Sequence, residues 1–220
     1  MKETTETERI EPRWPVVLAV LALLAMVAVV PDHYRLLPVW APFVIAITAC
    51  LPTVGVAHSG RKSRWLTIEG VTVKLVAIFV IVLAALPLAA VIRDIILGSQ
   101  RATGLELLTS SVVIWTGNVT GFSLLYWQVD GGGPSGRSQA ETCRIDWLFP
   151  QAAAPERVPS DWRSTFADYL FLAFSTATAF STTDTLPLTV RAKLLMMLEA
   201  MISMITLVVI ASRAINVLGS

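Results

Sequence analysis

Long apolar runs separated by short polar breaks dominate this 220-residue chain. Trp14 to Val30 carries no charge, and Leu36 to Val56, Ile68 to Ile92 and Thr103 to Trp127 follow as three further runs. A polar stretch from Gln128 to Arg163 interrupts the series, and two last runs cover Thr165 to Thr182 and Val190 to Asn216. A helix of about 20 apolar residues crosses a hydrocarbon core of about 30 Å. The pattern therefore predicts an all-α integral membrane protein with about six transmembrane helices, the last two forming a hairpin. The expected regions are an N-terminal tail over 1–13, a four-span region over 14–127, a Gly/Pro-containing loop over 128–163 and the hairpin over 164–220.

Single residues sharpen the runs. Trp14, Trp40 and Trp65 suit the headgroup interface, and Pro15 is tolerated in a first helical turn. Pro42 and Pro87 predict kinks, because each removes a backbone donor. Lys74 is close enough to the basic loop before it to snorkel. The fourth run is the most polar, with Glu106, Asn118 and several hydroxyls around Gly117-x-x-x-Gly121. Small residues four apart let helices approach closely, and buried amides and hydroxyls bond across the contact. Gly117, Asn118 and Gly121 are thus helix-packing candidates, for contact within the chain, with a second copy or along a pore. Gly131-Gly132-Gly133-Pro134 ends that run, since it cannot continue a helix. Beyond it, Trp147, Phe149 and Trp162 suit docking of the loop on the membrane surface, with a flexible linker as the equal alternative for its middle.

Composition excludes more than it selects. Hydrophobic residues make up 55% and charged residues 15%, and mean hydropathy is +0.67, against about 25% charged in a soluble domain. The bilayer is therefore the expected partner. A net charge of +1 gives no electrostatic reason for nucleic-acid binding. The tail mixes Lys2, Arg9 and Arg13 with four glutamates and does not read as a signal peptide. Cys50 lies in an apolar run and Cys143 in the polar loop, so no disulfide is expected; His33 and His58 lack clustered partners for a metal. No nucleophile, base and orienter are grouped, so neither enzyme chemistry nor a cofactor is expected. With six spans, eleven Lys and Arg fall on the N-terminal side and five on the other. The positive-inside rule then puts both termini and the long loop in the cytoplasm.

Candidate chemistry concentrates in the hairpin. Ser175, Thr176, Thr178, Ser181, Thr182, Thr183 and Asp184 supply oxygen atoms of the kind that coordinate a cation. In a symmetric oligomer Asp184 forms a ring. The opposing reading is an ordinary short span whose hydroxyls bond to backbone carbonyls, with Asp184 in a solvated turn. Glu199 lies nine residues into the last run, about 13 Å along a helix. A carboxylate at that depth is costly and usually faces the bundle interior or a water-filled cavity. Ser203 and Thr206 fall on the same helical face.

Two resemblances join on these residues. Asp168-Tyr169-Leu170-Phe171 and Phe180-Ser181-Thr182-Thr183-Asp184 are similar to the last two segments of a family of uncharacterised bacterial multi-pass membrane proteins, over Asp146 to Leu218. That family implies no particular activity. Ser175 to Pro187, followed by Arg191 at the head of a long helix, resembles the pore module of potassium-type cation channels. There a pore helix leads into a carbonyl-lined filter, a proline and an inner helix. The glycines that such a filter uses are absent from Asp168 to Leu218. Channels of that type also feed the pore loop from outside, which reverses the charge bias. The resemblance implies a degenerate pore module, and with the acidic residues it makes a channel-like or transporter-like protein for a small cation the leading expectation. A non-transporting scaffold or partner subunit, oligomerising through the small-residue face, is the alternative.

Overall fold

A computed structural model describes residues 14–28, 38, 40, 43–44, 47–48, 51, 63–96, 104–139, 144–160, 162–180 and 184–218. Over these the chain is mostly helical. The principal helices are α1 (Trp14–Ala28), α2 (Ser63–Ile96) and α3 (Gly104–Val129), followed by the short α4 (Gly133–Gln139) and α5 (Pro150–Ala153). Then come α6 (Phe166–Ala179) and α7 (Val190–Leu218). Two segments, Leu108–Gly132 and Val190–Val209, are long and apolar enough to cross a membrane. Helix α2 runs unbroken through Pro87.

Helix α3 is the centre of the molecule and packs against α1, α2, α6 and α7. The most polar apolar run is thus the most enclosed helix. Its polar side chains lie at helix contacts, where the lipid face would leave them without partners. Phe122, Leu124, Tyr126 and Trp127 are fully buried, with Val73, Ala77 and Val80 of α2 and Tyr169, Leu172 and Ala173 of α6 around them. At Gly121 α3 packs directly against α2. A Cβ there would lie 2.9 Å from Ile81 Cγ1 and 3.2 Å from Val80 Cγ1.

The glycine run ends α3 as expected. Asp130–Gly132 forms a 3₁₀ turn, and Gly131, Gly132 and Gly133 take φ of 57°, 78° and 84°, angles that side chains with a Cβ rarely adopt. The rest of the loop region is folded. Trp147–Leu148 (β1) pairs antiparallel with Leu186–Pro187 (β2), with Trp147 opposite Pro187 and Leu148 opposite Leu186. The expected surface docking of its aromatic residues gives way to core packing. Trp147 is 1% exposed and stacks on Tyr126 at 4.7 Å, while Phe149 meets Tyr169 edge-on at 5.2 Å with Trp162 beside it. Aromatic residues in a polar loop find more apolar contact inside the helix bundle than at its rim.

Helix α6 is 14 residues long, about 21 Å at 1.5 Å per residue, short of a bilayer's hydrocarbon core. At its start the Asp168 carboxylate accepts from the Thr165 N–H at 2.7 Å and from its hydroxyl at 2.9 Å, the acidic half of a capping box. Its end is unusual. Phe180 takes the left-handed conformation, φ 55° and ψ 23°, and donates its N–H to the Thr176 carbonyl at 3.1 Å. Glycine normally fills that position.

Candidate functional site

Two buried polar clusters stand along α3, and α7 reaches both. The first surrounds Glu199. Its side chain is 0% exposed, as is Ser203, and Thr206 is 1% exposed. Helical spacing of i, i+4 and i+7 puts all three on one stripe of α7, and that stripe faces α3. Tyr126 donates its hydroxyl to Glu199 Oε2 at 2.5 Å. Two turns earlier on α3, the Asn118 amide donates to the Glu199 carbonyl at 3.1 Å and to Ser203 Oγ at 2.8 Å. Thr206 donates to the Ile202 carbonyl at 2.7 Å.

The cluster is incompletely satisfied. Glu199 Oε1 and Asn118 Oδ1 are buried acceptors without a donor. Trp115 Nε1, one turn before Asn118, is a buried donor without an acceptor. Buried polar atoms are rarely left so, because each lost hydrogen bond costs about 1–3 kcal/mol.

The second cluster closes the end of the bundle where α3 stops. Asp130 Oδ1 accepts from the backbone N–H of Asp146 at 2.6 Å, and Oδ2 accepts from the Tyr169 hydroxyl at 2.5 Å. Arg137 donates to the carbonyls of Trp127 and Asp130, both at 2.8 Å, and stands over the Tyr169 ring at 5.0 Å. Asp146 in turn accepts from the Thr189 hydroxyl at 2.5 Å and from the Arg191 guanidinium, with which it forms an ion pair. Thr189 also caps α7, accepting from the Ala192 N–H at 3.2 Å. This cluster has its hydrogen bonds made, and its chemistry is that of a fastening: one carboxylate holds the loop to α3 and α6, the other holds it to α7.

The hairpin hydroxyls do not converge on one point. Ser175 and Thr176 are buried, while Thr178 and Asp184 are exposed; Ser181, Thr182 and Thr183 lie outside the described residues. Thr176 donates to the Leu172 carbonyl at 2.8 Å and Thr178 to the Phe174 carbonyl at 2.7 Å, bonds within their own helix. Gly117 is buried, and Gly121 meets α2 of the same chain. Asn118 bonds across the α3–α7 contact. Sequence reasoning singled out Glu199, Ser203 and Thr206 but not Tyr126, Asp130, Asp146 or Tyr169. No local signal marks these four, since an aromatic residue or an acid beside an apolar run also suits an interface.

The chain matches no family model, no curated protein and no solved structure.

Proposed function

We propose that this chain is a multi-pass membrane protein of six spans that carries a small cation across the cell membrane. Both termini and the 128–163 region are assigned to the cytoplasmic side, where the eleven basic residues balance anionic lipid and the membrane potential. The observation that carries the reading is Glu199, wholly buried in one of the two apolar segments of spanning length, with one carboxylate oxygen left without a donor. An ionisable side chain at membrane depth is costly, and such residues mark ion and proton pathways.

A second reading is a non-transporting partner subunit. The row Met197, Met201, Met204 and Val208 on the outward side of α7 favours it, because a methionine-rich face adapts to another helix as readily as to lipid. Purified protein reconstituted in liposomes separates the two. Cation flux that falls at least about tenfold in Glu199→Gln, a loss of about 1.4 kcal/mol of barrier lowering, is the expected outcome. Vesicles as tight to protons, sodium and potassium as protein-free ones would leave the partner-subunit reading.

A further inference from the structure

We infer that the cation is a proton, and that it is held on Glu199 Oε1 at the α3–α7 interface. This rests on the cation-carrying reading above and narrows it. The inference follows from counting donors and acceptors. Glu199 Oε2 already accepts from Tyr126, Ser203 Oγ already accepts from Asn118, and Thr206 spends its hydrogen on Ile202. What is left among the described residues of this interface is two buried acceptor oxygens, Glu199 Oε1 and Asn118 Oδ1, and on the donor side the Trp115 Nε1–H and the Ser203 hydroxyl hydrogen. The Asn118 carboxamide is held against the same turn of α7 by its bond to the Glu199 carbonyl.

A dehydrated metal cation needs about six oxygen ligands, and two free acceptors fall far short. No group of three or more His, Cys, Asp or Glu is gathered among the described residues. A single hydrogen meets the need. Placed on Glu199 Oε1, it converts the buried carboxylate to a neutral acid that needs no countercharge and can itself donate. The charge of the ionised form has no cation set against it. Helix α3 presents Tyr126 to Glu199; α6 brings Asp168 and Tyr169, which are bound to Thr165 and Asp130. Arg191 is eight residues earlier on α7, about 12 Å along the axis, and is engaged with Asp146. On α2, Glu69 and Lys74 belong to its first half, whereas α2 reaches α7 through Leu88 beside Val209.

The exchange is a simple transfer. The Oε1–H bond breaks toward a water molecule admitted from one side, leaving the carboxylate and a hydronium ion. A hydronium ion arriving from the other side returns a proton to Oε1 and leaves as water, and no electron changes hands. Tyr126 keeps its own proton and steadies Oε2 throughout as a positioning residue.

Infrared difference spectroscopy of the wild-type protein at neutral pH tests the held proton without requiring transport. The expected result is a carboxylic-acid carbonyl band that shifts in heavy water, moves when Tyr126→Phe removes the donor to Oε2, and disappears in Glu199→Gln. Absence of that band in folded wild-type protein overturns the inference. Liposomes loaded with a pH-sensitive dye test the transfer. Acidification driven by a proton gradient, lost in Glu199→Gln and retained in Asp184→Asn, supports it. Flux of sodium or potassium with no proton movement overturns this inference and leaves the transport reading intact. Vesicles that pass no cation at all overturn both.

Discussion

Tyr126 has more influence on this molecule than its place in an apolar run suggests. Its hydroxyl supplies the hydrogen bond that the Glu199 side chain receives, inside an interface from which both are fully shielded. Tyr126→Phe keeps the ring stacked on Trp147 and removes that bond alone. The expected outcome is a loss of about 1–3 kcal/mol, the cost of a buried acceptor left unmade, read as a lower thermal midpoint in detergent micelles. An unchanged midpoint would mean that the two side chains do not meet. Phe180 offers the opposite case. A residue with a Cβ in the left-handed region costs roughly 1–2 kcal/mol, and its ring is partly exposed. Phe180→Gly should therefore raise the midpoint, by about 1 kcal/mol once the added freedom of the unfolded chain is offset.

At the scale of elements, α3 holds the bundle together through two kinds of contact. Against α2 the contact is steric, and Gly121 sets how near the helices come. Gly121→Leu adds a side chain where even one carbon would meet Ile81 and Val80. It should cost about 1–3 kcal/mol as overpacking, with Ile81→Ala in the same chain restoring part of the loss. Against α6 and α7 the contact is polar and runs through Asp130 and Asp146. Asp146→Ala strands the Thr189 hydroxyl and the Arg191 guanidinium together, so about 2–3 kcal/mol is expected. Arg191→Ala should cost less, about 1 kcal/mol or below, because that side chain is 58% exposed and screened by solvent. Equal losses from the two changes would show that the ion pair, and not the Thr189 cap, holds the start of α7.

At the scale of the whole molecule, the proposed membrane topology puts the 128–163 region in the cytoplasm, by the positive-inside bias. Membrane-impermeant thiol labelling of Cys143, in a Cys50→Ser background, should therefore modify inside-out vesicles and spare intact cells. Labelling of intact cells would reverse the orientation. The same region also governs how the bundle closes. With Trp147 in the core and β1 paired to β2, it acts as a wedge between the α3 end and the α7 start. Deleting it is expected to expose Tyr126 and Tyr169 and to weaken the Glu199 site from a distance.

Local composition determined much of this protein without help from the fold. The apolar runs located α1, α2, α3 and α7, because a long run of apolar residues buries its backbone polar groups, and a helix satisfies them within the segment. The glycine run ended α3 because no other residue takes three successive positive φ angles. Glu199 was visible because a charge inside an apolar run is rare enough to be conspicuous. Helix α2 continues through Pro87, as a long helix can where neighbouring groups take up the freed carbonyl. What only the tertiary structure decided was partnership. Tyr126 meets Glu199 across 73 residues, and Tyr169 meets Asp130 across 39. Neither partner alters the local pattern around the other. Hydropathy reports what a segment avoids, which is water. The bonds that a buried polar atom makes depend on which helix stands opposite, and that is settled only when the helices pack.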